Sequence, residues 1–240
     1  MTNHTRHANT LAGLMTIAAV GTTLYAAAAR QAWQPLEGLT LLALAAATSR
    51  MKVKLPGLNG TMSVNLPFLL YAAVHLSAIE TALIAAACGL VQSWPKSGAE
   101  WKPVQASFNV SMMVLAMTLT SLLFHAKATL PMMTGPLGLA IAGLSVFLGQ
   151  TVPVSAVIAL TEGAVLRRVW IGIAHLSFPY YVASVGMATL MEQIHRNLGL
   201  LLAMTAVAVM YGIYRSYRTY FQTAAEPAPA LRYKAAHGGV

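Results

Sequence analysis

The sequence predicts an all-α fold: one polytopic helical membrane bundle of about eight spans, with no soluble domain. Three observations carry that reading. Of the 240 residues, 57% are hydrophobic and only 9% are charged, whereas a soluble domain carries roughly 25% charged residues. The apolar residues gather into long runs. The Lys and Arg residues lie in the connections between those runs, as they do in membrane proteins.

The runs are read in order. Span 1 is Thr10 to Ala29, closed by Arg30. Arg6 and the small residues Ala26 to Ala29 resemble parts of a signal peptide. The apolar core of about 20 residues is longer than an h-region of about 7–15, so a retained helix is preferred. Span 2 is Leu36 to Ser49, entered through Pro35 and ended by Arg50. The stretch Val53 to Asn65, with Pro56, Gly57 and Gly60, reads as a loop at the interface. Span 3 is Leu66 to Leu76 and span 4 is Ser77 to Val91. A crossing needs about 20 apolar residues, so spans 2, 3 and 4 are short and are expected to be tilted, broken or partly re-entrant. Span 5 is Val104 to His125. Span 6, Leu137 to Glu162, contains Pro153 and is expected to be one kinked helix. Span 7 is Val169 to Met191 and span 8 is Leu198 to Tyr214. The domain layout is a cytoplasmic tail at 1–9, a single helical membrane domain at 10–221 and a disordered cytoplasmic tail at 222–240.

Charge tests the count of crossings. With the N-terminus inside and every run crossing once, twelve basic residues face the cytoplasm: Arg6, Arg50, Lys52, Lys54, Lys96, Lys102, Arg167, Arg168, Arg215, Arg218, Arg232 and Lys234. Three face outward: Arg30, Lys127 and Arg196. Merging spans 3 and 4 weakens that bias. The positive-inside rule therefore favours eight crossings in a bacterial inner membrane, with both termini cytoplasmic.

Composition excludes several chemistries. The sequence has no Asp and only six acidic residues, all Glu, so any site built on Asp is absent. The lone Cys88 cannot form an internal disulfide or a Cys-rich metal motif, and reads as a packing residue. No zincin spacing, nucleophile elbow or phosphate loop occurs, so neither a catalytic constellation, a metal site nor a cofactor is expected. The net charge of +9 comes without a basic patch interleaved with aromatics, so no nucleic-acid partner is expected. The partner that composition implies is the lipid bilayer.

Ionisable and amide groups inside a membrane are costly and are candidates for function. Glu80 lies near the start of span 4, close to His75; there a carboxylate is also favoured by the helix dipole. Asn109 and Gln150 are intramembrane amides, read first as interhelical hydrogen-bond partners. His175 and His125 stand alone in apolar context. Glu80, Asn109, Gln150 and His175 are the candidate polar cluster. Glu162 with Arg167 and Arg168 is a candidate interfacial ion pair, worth little if exposed. Tyr214, Arg215, Tyr217 and Arg218 form a candidate membrane-exit anchor, with Tyr at headgroup level and Arg on the cytoplasmic side. Small residues four apart (Ala82 and Ala86, Ala85 and Gly89, Gly138 and Ala142) allow close helix approach.

Several separated pieces share a resemblance. They are Gly60-Thr61-Met62-Ser63-Val64-Asn65-Leu66-Pro67-Phe68 followed by Leu76-Ser77-Ala78; Trp101-Lys102-Pro103 with Phe108-Asn109; Ala159-Leu160-Thr161-Glu162-Gly163 with Trp170; Pro179-Tyr180-Tyr181; and the exit from Tyr214 to Tyr220. In this order they resemble the multi-span N-terminal membrane region of bacterial HD-type phosphodiesterase and GGDEF signalling proteins. Unlike those proteins, this sequence is expected to carry no catalytic domain after span 8. The front half is also similar, more loosely, to the substrate-binding subunit of energy-coupling-factor vitamin transporters. The first resemblance implies a non-enzymatic inner-membrane module, a sensor or scaffold acting with another membrane or cytoplasmic signalling protein. The second implies a small-solute carrier, or its binding subunit, with a polar cavity near the midplane. A membrane enzyme using Glu and His is the third reading. Convergence of Glu80, Asn109 and Gln150 on one cavity would favour a carrier; scattered or mutually paired groups would favour a scaffold.

Overall fold

Lipid offers backbone N–H and C=O groups no partners, so a chain in lipid must satisfy them within itself. This chain does so almost entirely by helix. The computed structural model describes residues 3–29, 31–54, 61–95, 100–126 and 135–198, and scattered positions between 205 and 219. Among them are α1 (Asn3–Ala28), α2 (Pro35–Ser49), α3 (Leu66–His75), α4 (Ala78–Ser93), α5 (Pro103–His125), α6 (Gly135–Glu162) and α7 (Leu166–Leu198). The described positions of the eighth run have helical backbone. Pro opens α2 and α5 in the first turn, where its missing N–H has no helical partner to lose.

Three boundaries differ from the sequence reading. Helix α1 starts at Asn3, so residues 3–9, read as tail, are helical. Helix α7 extends both ways past Val169 and Met191 and carries Pro179 inside it. The stretch read as an interfacial loop contains an antiparallel hairpin instead. Its strands are β1 (Lys52–Lys54) and β2 (Thr61–Ser63), with Val53 opposite Met62. Val64 and Asn65, at its exit, are buried in protein. Strands of three residues are too short to give a periodic signal in the sequence. Span 6 is one helix, with Pro153 inside it.

Side-chain contacts fix the directions. Glu80, in the first turn of α4, meets Gln34 just before α2. Lys52, just after α2, reaches the Gln92 carbonyl near the end of α4. Helices α2 and α4 therefore run the same way. Between them α3 runs back: Asn65 at its start donates to Ser49 at the end of α2, and Tyr71 near its finish meets Glu37 at the beginning of α2. The remaining helices place their ends accordingly. One end of the bundle carries the hairpin, the starts of α1, α5 and α7 and the finish of α6. The opposite end carries the Leu76-Ser77 turn between α3 and α4. These are called the hairpin end and the cap end below.

Helix α3 is apolar all round and lies at the centre. Every residue from Leu66 to Ala73 is buried, packed among α2, α4, α5, α6 and α7. Helix α1 shows the opposite of a water-soluble pattern. Its buried residues are the small Ala8, Ala12, Ala19 and Ala26, while Leu14 (60%), Ile17 (72%) and Leu24 (66%) are exposed. Small residues inside and large apolar ones outside suit close packing with lipid as the solvent. Among the described residues, three helices are long and apolar enough to cross a bilayer: Arg6–Ala28, Pro103–His125 and Leu137–Glu162. Exposed Trp33 lies at the cap end and Trp94 and Trp101 at the hairpin end, the two levels at which Trp is enriched beside a membrane.

Candidate functional site

The four polar candidates are built into different places. Glu80 is the third residue of α4 and completes a capping box with Ser77. Its Oε2 accepts from the Ser77 N–H at 3.1 Å and from the Ser77 hydroxyl at 2.5 Å. Its Oε1 accepts from the Gln34 N–H at 2.8 Å. Gln31 Oε1 accepts the Ala78 N–H at 2.6 Å, and Gln34 Nε2 donates to the His75 carbonyl at 3.1 Å. The connection between α1 and α2 thus satisfies the backbone groups that α3 and α4 leave open at their turn. Glu80 serves as a buried cap, where the sequence suggested only an interfacial carboxylate favoured by the helix dipole.

Asn109 lies toward the hairpin end, where its Nδ2 donates to Ser93 Oγ at 3.2 Å. Gln150 Oε1 accepts from Tyr181 Oη at 2.7 Å, tying α6 to α7. His175 is exposed on α7. The carrier-like convergence of Glu80, Asn109, Gln150 and His175 therefore does not form. Each amide is held by a neighbouring helix or turn, as interhelical bonding predicts. His125 is held through Nδ1 by the Ser121 carbonyl at 2.8 Å.

The candidates at the chain's turns and exit are placed less closely. Glu162, Arg167 and Arg168 are all exposed around the α6–α7 turn. Gly163 makes that turn with φ 67°, a conformation that glycine adopts without a side-chain clash. Tyr214 packs partly buried against the core and Arg215 is exposed. Tyr217 and Arg218 lie outside the described residues, as does the proposed tail at 222–240.

The structure assembles a different polar group, at the cap end. It draws Glu37 from α2, Tyr71 and His75 from α3, and Glu192 and His195 from α7. His75 Nε2 is hydrogen-bonded to Glu192 Oε2. Tyr71 Oη donates to Glu37 Oε1 at 3.4 Å, and His195 Nε2 stands 3.9 Å from the same oxygen. The Tyr71 and His75 rings stack with centroids 4.3 Å apart, and the His195 ring lies 5.5 Å from that of His75. These contacts join α2, α3 and α7 at one end of the bundle. Among the described residues, no group of His, Cys, Asp or Glu is arranged to hold a metal ion.

Sequence reasoning named His75 only as a neighbour of Glu80, counted Glu37 and Glu192 only among the six Glu residues open to a paired-carboxylate site, and passed over Tyr71 and His195. One signal was present. Glu192 and His195 are three residues apart, hence on one face if the seventh helix continues past Met191. The partners on α2 and α3 are far away in sequence and had no local mark. Comparisons with protein-family models, curated proteins and solved structures return no match.

Proposed function

We propose that the protein is a non-enzymatic multi-span membrane module of the sensor or scaffold kind, acting through another membrane or cytoplasmic protein. The observation that carries this is the dispersal of the intramembrane polar groups. Glu80 caps a helix, Asn109 and Gln150 join neighbouring segments, and His175 faces outward. A carrier needs such groups around one midplane cavity. The small-solute carrier reading accordingly has less support. The cap-end cluster suits a sensing role, because it couples α2, α3 and α7 through polar side chains drawn from all three helices. The ordered resemblance to membrane regions of signalling proteins points the same way.

In the proposed topology the chain crosses a bacterial inner membrane eight times, with the hairpin end in the cytoplasm. The described basic side chains Arg6, Arg50, Lys52, Lys102, Arg167 and Arg168 all belong to that end, which supports the orientation. A reporter fused after Val240 is expected to be active only in the cytoplasm; periplasmic activity would overturn the topology.

Function is tested by two measurements on the full chain. A photo-crosslinking residue at exposed Arg168 is expected to trap one specific protein in living cells. Proteoliposomes are expected to show no counterflow of vitamin-sized solutes. Saturable counterflow that Asn109→Ala abolishes would reverse the assignment in favour of a carrier.

A further inference from the structure

At the hairpin end a cavity of about 750 Å³ opens between α1, α5, α6 and the hairpin. That volume lies within the roughly 300–1,000 Å³ of small-molecule sites. Its chemistry is divided. Lys52, Lys102, Gln105 and Asn109 stand at one side, and no carboxylate belongs to its described lining. Phe108, Met112, Met113, Val154 and Val157 form an apolar wall running inward. The partly buried Lys52 ammonium donates to the Gln92 carbonyl. Lys102 is exposed, on the residue that opens α5. The first-turn N–H groups of that helix add positive potential on the same side.

Two ammonium groups beside an apolar wall match a molecule with an anionic head and a hydrocarbon chain. We infer that this cavity binds an anionic amphiphile, with its phosphate or carboxylate between Lys52 and Lys102 and its chain against Met112, Met113 and Val157. Inorganic anions would leave the apolar wall wet, and a neutral apolar molecule would gain nothing from the positive charge of Lys52 and Lys102. Basic pockets between membrane helices commonly select acidic headgroups. The inference goes beyond the sensor reading and does not require it. Two sources share this chemistry: an acidic phospholipid of the surrounding leaflet, or a free alkyl phosphate or fatty acid.

The experiment uses the full chain in nanodiscs of phosphatidylcholine and phosphatidylglycerol, followed by native mass spectrometry of the lipids that stay bound. A membrane source predicts enrichment of phosphatidylglycerol over phosphatidylcholine by roughly tenfold, which Lys52→Gln with Lys102→Gln brings back to the bulk ratio. A free source predicts no enrichment, but saturable binding of dodecyl phosphate in phosphatidylcholine discs that the same variant weakens by a similar factor. Either result supports the site. Equal retention of both lipids together with no lysine-dependent binding of dodecyl phosphate would overturn it. Binding of inorganic phosphate as tight as that of dodecyl phosphate would also overturn it, because the wall would then contribute nothing. If the double variant does not fold, Lys102→Gln alone is expected to reduce selectivity by roughly fivefold. Val157→Phe, which narrows the wall and keeps both lysines, is expected to reduce binding of either amphiphile. No change in both single variants would refute the site.

Discussion

The two ends of the bundle solve opposite problems with different residues. The cap end is closed. Its carboxylates, imidazoles and amides are consumed by one another and by helix termini, and they join α2, α3, α4 and α7. Among the described side chains of residues 3–198, no Lys or Arg lies there. The hairpin end is open. Its lysines and amides line a cavity and its arginines are exposed. The contrast teaches where each residue type acts. Glu and His at the cap end hold the fold and couple helices, whereas Lys52 and Lys102 at the hairpin end line a cavity.

If that contrast is right, substitutions at the cap end should reduce stability far more than substitutions at the hairpin end. The largest effect is expected for Glu80→Ala, which leaves the Gln34 N–H, the Ser77 N–H and the Ser77 hydroxyl without their acceptor. The loss should be about 2–3 kcal/mol, read as a lower unfolding midpoint in detergent. His75→Ala or Glu192→Ala removes the tie between α3 and α7 and should cost about 1–2 kcal/mol. A double-mutant cycle should show most of that loss as coupling; additive losses would mean that the pair is incidental.

Packing sharpens the comparison away from the polar groups. A Cβ on Gly89 would stand 2.9 Å from the Val110 Cα, a backbone atom that cannot rotate aside. Gly89→Leu should therefore separate α4 from α5 and cost roughly 1–3 kcal/mol, visible as faster proteolysis of the detergent-extracted chain. Gln150→Leu, which strands Tyr181 Oη, should cost about 0.6–2 kcal/mol. At the hairpin end Lys102→Gln should change stability by less than about 0.5 kcal/mol. A loss there as large as that of Glu80→Ala would erase the distinction between the ends.

Much of the helical framework was legible because it depends on local pattern. The bounds of the second span match α2 from Leu36 to Ser49, and the fifth span falls on α5. Ser77 with Glu80 three residues later is a local capping-box signature, although the sequence reading took from it only the helix dipole. Cys88 is buried among packed helices, as its Ala-rich neighbourhood indicated. What was illegible depends on pairing at a distance. Tyr180 donates to the Ser63 carbonyl at 2.7 Å and accepts from the Leu66 N–H, across more than a hundred residues. Nothing near Tyr180 announces that role. The cap-end cluster escaped notice for the same reason, since its members come from three separated helices. The hairpin was concealed because its strands are three residues each, too short for a periodic signal.

The brevity of α3 has a consequence for what holds it in place. Its ten residues span roughly 15 Å, about half of a hydrocarbon core. Its exit turn is capped by Glu80 of α4, which also accepts from Gln34 before α2. Its entry is closed by Tyr180 of α7. Helix α3 therefore depends for its position on α2, α4 and α7, and not on its own length.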